Sequence, residues 1–321
     1  MTISAEPPSV QSPQRFPDFY IVGHSKSGTT ALYEMLRRHP QIYMPDLKEP
    51  TFFATDLRPR LQQRVPEPET LADYLALFAH AGAEQRVGEA SSLYLFSQDA
   101  AEAIAAAAPA ARIVAILREP ASFLRSLHLQ LLQIHNETEN DLRAAIALEP
   151  ARRRGERIPS SCSRPQALLY SERVRYVEQL RRFDAVFAPE QILTLVYDDF
   201  RDDNDATVRQ VLRFLDVDDA QPLQTLQANP TVAVRSLRLH GLKHTLRTSD
   251  GAVARAARAA GEAPTGRRVR AILQRSVYGR TPRPDEQLML ELRRRFAGEV
   301  VALSDYLGRD LVSLWGYDSL G

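Results

Sequence analysis

The stretch Phe19-Tyr20-Ile21-Val22-Gly23-His24-Ser25-Lys26-Ser27-Gly28-Thr29-Thr30 passes from four apolar residues through a glycine-bounded turn to two threonines. Ala31-Leu32-Tyr33-Glu34-Met35-Leu36-Arg37-Arg38 follows with apolar residues at helical spacing. The pattern predicts a buried strand, a tight turn and an amphipathic helix. Backbone N–H groups at a helix start lack intrahelical acceptors and point at one spot, where the helix dipole adds positive potential. Lys26 brings a full charge there, and Thr29 and Thr30 bring hydroxyl donors. Of 41 basic side chains only Lys26, Lys48 and Lys243 are lysines. A lysine in this turn is therefore not background composition, and the turn reads as an oxyanion cradle.

It is not the common nucleoside-triphosphate loop, which needs lysine directly after its second glycine. Here Lys26 precedes Gly28 by two residues and threonines follow. The order G-x-x-K-x-G-T-T resembles the 5'-phosphosulfate loop of sulfotransferases that use 3'-phosphoadenosine 5'-phosphosulfate (PAPS). A second segment extends the likeness. Arg112-Ile113-Val114-Ala115-Ile116-Leu117 is a short apolar run ending in Arg118-Glu119-Pro120, with a helix expected to follow the proline. In the family a strand-ending arginine and a serine eight positions later hold the 3'-phosphate, and Arg118 and Ser126 have that spacing. A guanidinium fork and a hydroxyl suit a phosphate dianion.

Further segments resemble the heparan-type and bacterial branches of this family: Lys48-Glu49-Pro50-Thr51-Phe52-Phe53, Gly88-Glu89-Ala90-Ser91-Ser92-Leu93-Tyr94, and Leu307-Gly308-Arg309-Asp310-Leu311 with Trp315. The resemblance implies a P-loop-like sulfotransferase fold. It implies PAPS bound by Lys26, Ser27, Gly28, Thr29, Thr30, Arg118 and Ser126, with adenosine 3',5'-bisphosphate as product. Tyr170 matches a tyrosine near the adenine, and Arg235, after Asn229-Pro230-Thr231, matches a late phosphate-contacting loop. Glu49 stands where relatives carry their base, and Lys26 stands at the bridging oxygen of the breaking bond. Glu89 reads as a second acid or a strand-end residue that orients neighbours. His24 reads as a loop residue shaping the pocket, and His128 and His135 as surface or groove residues. One departure matters: Ala90 stands where heparan-type enzymes have lysine after the glutamate. A sulfated polysaccharide is thus a poor first expectation, and a hydroxyl on a small molecule, lipid or glycoside a better one. No metal is expected, because a sulfuryl group carries less charge than a phosphoryl group and no cluster at ligand spacing stands out.

Strands are predicted at 19–23, 41–44, 86–89, 112–117 and 191–196. Helices are predicted near 29–38, 71–80, 98–107, 121–134, 166–183, 204–215, 285–307 and 309–314. Such alternation implies an α/β fold with a mainly parallel central sheet and helices on both faces. A single domain is expected over 16–321, after a flexible tail at 1–15. Between Arg235 and Arg283 the chain has eleven arginines and one lysine against two acids. That segment reads as a solvated, partly mobile insertion, with an anionic acceptor, a membrane surface or the 3'-phosphate as alternative partners. Nucleic acid is not an expected partner. One cysteine, Cys162, excludes an internal disulfide, and with no membrane-spanning apolar stretch the chain is expected to be cytoplasmic. Two other readings stay open: a magnesium-dependent kinase, using the acidic run Tyr197-Asp198-Asp199, and a silent nucleotide-binding module.

Overall fold

Five parallel strands frame the computed structural model, which describes residues 15–60, 67–221, 232–234, 278–280 and 283–320. They are β1 (Phe19–Gly23), β2 (Ile42–Tyr43), β3 (Arg86–Ala90), β4 (Arg112–Leu117) and β5 (Ile192–Val196), in the order β2-β3-β1-β4-β5. Every pairing in this sheet is parallel. The α/β class and the five strand positions match the sequence reading. The chain groups into two compact units. One holds the sheet and takes in residues up to 58, 62–118 and 178–228; the other holds 59–61, 119–177 and 229–321. The single domain expected over 16–321 is thus met by two compact groupings.

In the first unit, alternation along the strands sorts side chains to opposite faces. Phe19, Ile21, Val114, Ile116 and Leu195 pack with Leu32, Met35 and Leu36 of α1 (Thr29–Arg37). The same cluster includes Val208, Val211 and Leu212 of α10 (Asn204–Phe214). Tyr20 points the other way, into an aromatic cluster with Phe53 and Tyr94. Tyr74 of α2 (Leu71–Ala76) stacks on Phe52 and meets Phe53 and Phe78 edge-on. Helix α3 (Ala100–Ala107) buries Ala100, Ala101 and Ile104.

The second unit begins with α4 (Pro120–Gln133), which has proline in its first turn and Glu119 accepting from the N–H groups of Ala121 and Ser122. It continues through α5 (Leu142–Ala147), α6 (Glu149–Arg153) and α7 (Tyr170–Arg173) to α8 (Tyr176–Asp184), which runs on into the first unit. α11 (Glu286–Leu307) starts on an Asp285 cap and ends at Gly308, φ +59°; α12 (Leu311–Leu314) follows. Two short strands, β6 (Val232–Val234) and β7 (Tyr278–Arg280), pair antiparallel.

Four expectations change. The helix predicted at 166–183 is a 3₁₀ turn (Pro165–Leu168) followed by α7 and α8, with breaks at Leu169 and Val174. β5 ends at Val196 as predicted, but the acidic run, which the kinase reading takes as a strand end, lies in helix α9 (Tyr197–Asp202), where Asp198 pairs with Arg201 at 2.8 Å. Short helices α5 and α6 fill a stretch for which the sequence predicts none. His128 and His135 are buried, not surface residues. Residues 1–14 of the predicted tail and nearly all of 235–283 lie outside the described residues. Among the described residues no helix is long and apolar enough to cross a membrane.

Candidate active site

β1 and β4 are neighbours, yet the chain leaves them toward opposite edges of the sheet. Such a switch point is where open α/β sheets bind ligands, beyond the carboxyl ends of the strands. The cradle is built there. His24 N–H donates to the Ile116 carbonyl at 2.8 Å, tying the turn to β4, and Ser27 N–H closes the turn on the His24 carbonyl. Gly23 is required by close approach: a Cβ there would lie 2.8 Å from Leu95 Cβ and 3.3 Å from the Ser92 carbonyl oxygen. Gly28 is required twice over, by φ +92° and because a Cβ would lie 2.8 Å from Phe200 Cδ1.

Helix α1 starts on Gly28 with no side-chain cap and no acid in its first turn. By contrast α2, α5 and α10 start on Thr70, Asp141 and Asp203, whose side chains accept those first N–H groups. Ser27 is buried, and its hydroxyl makes no hydrogen bond among the described residues. Burial, and secondarily the charge of Arg118, hold the Lys26 ammonium below its ordinary range. Arg118, the first residue past β4, donates from one Nη to the Lys26 carbonyl at 3.0 Å, and its guanidinium lies 4.8 Å from the centre of the Tyr197 ring. Two cations, an uncapped helix start and a buried hydroxyl form a donor set suited to a phosphate or sulfate group. An anion between Lys26 and Arg118 would relieve their mutual repulsion.

Glu49 stands on the loop after β2, with φ +63°. Its N–H donates to the carbonyl of Ala90, the last residue of β3, at 3.0 Å. Its carboxylate pairs with Lys48 and accepts from Ser92 N–H at 2.7 Å and from the Ser92 hydroxyl at 3.0 and 3.1 Å. The side chain stays 34% exposed. The exit of β3 is joined in turn to β1, through Ser91 N–H to the Ile21 carbonyl and Leu95 N–H to the Val22 carbonyl. Glu49 and the cradle are therefore braced by the same strand ends.

Behind Glu49, Glu89 is fully buried and receives the hydroxyls of Tyr74 (3.0 Å) and Tyr94 (2.8 Å) on one oxygen. Burial pushes its carboxyl up to about 7, the charge of Glu49 adds to this, and the two tyrosines oppose it. The folded chain thus keeps this proton to higher pH than the unfolded chain does. Stability from this group is fully present below pH 4.5, falls as pH rises toward about 7, and then levels. Glu89→Gln is expected to abolish that slope and to unfold later than the parent chain at pH 8, by up to about 3 kcal/mol at 1.36 kcal/mol per pH unit. Urea titrations at pH 4 and pH 8 would show it; equal slopes in the two proteins would refute it.

The other predicted residues divide. Thr29 is buried and Thr30 exposed at the start of α1. Ser126 is buried in the second turn of α4, in the second unit. Tyr170 is buried in the second unit; its hydroxyl donates to Glu137 at 3.1 Å and lies 2.9 Å from His128 Nδ1. Arg235 lies outside the described residues. His24 is fully buried, its Nε2 engaged with the Gln179 side chain. Among the described residues no three His, Cys, Asp or Glu side chains gather as a metal site. Three contributors are not picked out as site residues by the sequence: Tyr197, read there only as part of an acidic run, Phe200, and Ser92, quoted only within the segment 88–94.

A family model described as "Sulfotransferase family" matches residues 17–221. Carbohydrate sulfotransferase 15 of Mus musculus is 28% identical in an alignment of 256 residues that covers 63% of this chain and 44% of that protein. The Homo sapiens protein of that name is 31% identical in an alignment of 154 residues that covers 35% of this chain and 27% of that protein. The chain thus spans less than half the length of the curated relatives it matches. Among solved structures, a sulfotransferase from Alicyclobacillus acidocaldarius superposes with a TM-score of 0.64 at 25% identity, covering 93% of this chain and 98% of that one. With the family model matching well over half of its residues, and the cradle, β4 and Arg118 inside the matched range, this chain belongs to the sulfotransferase family.

Proposed function

We propose that this chain moves the sulfuryl group of PAPS to a hydroxyl of a small-molecule, lipid or glycoside acceptor. The observation that carries the reading is the Arg118 guanidinium bonded to the Lys26 carbonyl, which joins anion holders at two adjacent strand exits. PAPS supplies an activated sulfuryl group on a good leaving group. Lys26, Ser27, Gly28, Thr29 and Thr30 hold its 5'-phosphosulfate, and Lys26 neutralises charge that grows on the bridging oxygen. Arg118 takes the 3'-phosphate, with Ser126 as an expected second donor. Glu49 takes the acceptor's proton. That the matched relatives are named carbohydrate sulfotransferases supports a glycoside within the acceptor class. The single cysteine supports a reducing compartment, and we infer the cytoplasm.

Calorimetry tests the nucleotide half of this reading. Adenosine 3',5'-bisphosphate should bind, and Arg118→Ala should weaken it roughly tenfold to a hundredfold, the worth of a charge-assisted bond. Adenosine 5'-phosphosulfate, which lacks the 3'-phosphate, should be affected far less. Equal losses for both nucleotides would remove Arg118 from the 3'-phosphate. Tighter binding of ATP with magnesium would favour a kinase.

A further inference from the structure

We infer that Ser92 is a positioning residue for Glu49, an inference that rests on Glu49 being the base. Glu49 at φ +63° and Thr51 at φ +50° are non-glycine residues in left-handed backbone, Thr51 β-branched as well. Such conformations persist where surrounding bonds impose them. Here the exit of β3 imposes them in order: the Ala90 carbonyl takes Glu49 N–H, Ser91 Oγ takes Thr51 N–H at 2.9 Å, and Ser92 takes the side chain. The first two bonds fix the backbone without Ser92. The third fixes the direction of the carboxylate, and one buried residue supplies two of its three donors.

A proton count shows what this leaves. An ionised carboxylate has about four lone-pair directions. Lys48 Nζ, Ser92 N–H and the one Ser92 hydroxyl proton fill three of them. One direction remains for an incoming O–H, and Ser92 decides which. The carbonyl of the same residue lies 3.3 Å from where a Cβ on Gly23 would stand. Ser92 therefore stands beside the first residue of the cradle while it bonds the proton acceptor, and relates one to the other.

The test is a double-mutant cycle on the full chain, reading turnover of PAPS with octyl glucoside, or with water if that acceptor is refused. Ser92→Ala removes the hydroxyl and keeps the N–H. It should lower kcat about tenfold, the worth of one charge-assisted bond. KM for PAPS, affinity for adenosine 3',5'-bisphosphate and Tm should hold. Ser92→Thr, which keeps the hydroxyl, should recover most of the rate. In a Glu49→Gln background Ser92→Ala should add nothing. An unchanged kcat for Ser92→Ala beside a slow Glu49→Gln would overturn the role of Ser92 alone. So would a loss of the same size in both backgrounds. Parental turnover by Glu49→Gln would instead overturn the reading beneath it. If the alanine variant fails to fold, Ser92→Cys, with a weak donor in the same volume, replaces it under the same outcomes.

Discussion

Glu49→Gln is expected to turn over at least about a hundredfold more slowly than the parent chain, with affinity for adenosine 3',5'-bisphosphate nearly intact. Glutamine keeps the shape and can still accept from Ser92, but it cannot take a proton, and Lys48 loses its counter-charge. The cradle does not include the Glu49 side chain, so nucleotide binding should hardly notice. Single-turnover rates beside calorimetric affinities would separate the two effects. Parental rates, or a loss of nucleotide affinity as large as the loss of rate, would return Glu49 to a surface partner of Lys48. Local structure alone does explain that ion pair. It does not explain why a partly exposed carboxylate is also given both donors of a buried serine.

Glu137→Ala should be the most damaging change to stability in the second unit, at about 3–5 kcal/mol. The side chains of Glu137 and Arg152 are 0% and 1% exposed and meet as a fork, each Glu137 oxygen 2.8 Å from a guanidinium nitrogen. Glu137 also accepts from the N–H groups of Thr138 and Glu139 and from the Tyr170 hydroxyl. Removing it leaves a buried guanidinium and two backbone donors without their acceptor. Arg152→Met should cost less, about 1–3 kcal/mol, because the carboxylate keeps three donors. Denaturant titrations of both variants check the order; an equal or reversed order would show that the arginine is the keystone. Tyr170 sits in this network with one proton to offer. Burial holds His128 below its ordinary range, its Nε2 lies 3.0 Å from the Asn140 carbonyl, and its Nδ1 faces the same hydroxyl that serves Glu137. A tyrosine so engaged is held by the second unit's own polar network.

What the sequence could and could not show follows from how local each signal is. The five strands were legible because short β-branched runs such as Arg112–Leu117 end at turn residues within a few positions. The cradle was legible for the same reason: its glycines, lysine and threonines are consecutive. The break in 166–183 was not, since no proline or glycine marks it. Leu168, Val174, Val177 and Leu180, all buried, recur at steps of six and three residues, the spacing that one continuous helix would show. Tyr197 on Arg118, and Ser92 on Glu49, join residues tens of positions apart, and only the assembled sheet brings them together.

The β6–β7 ladder carries a consequence for how such a chain can diversify. Val234 and Tyr278 are rung partners, so the chain leaves the ladder at one and rejoins it beside the other. Cross-strand partners stand about 5 Å apart, a gap that two-residue hairpin loops routinely close. The spacing of those two partners is set by the ladder's own bonds, so residues gained or lost between them need not move either strand.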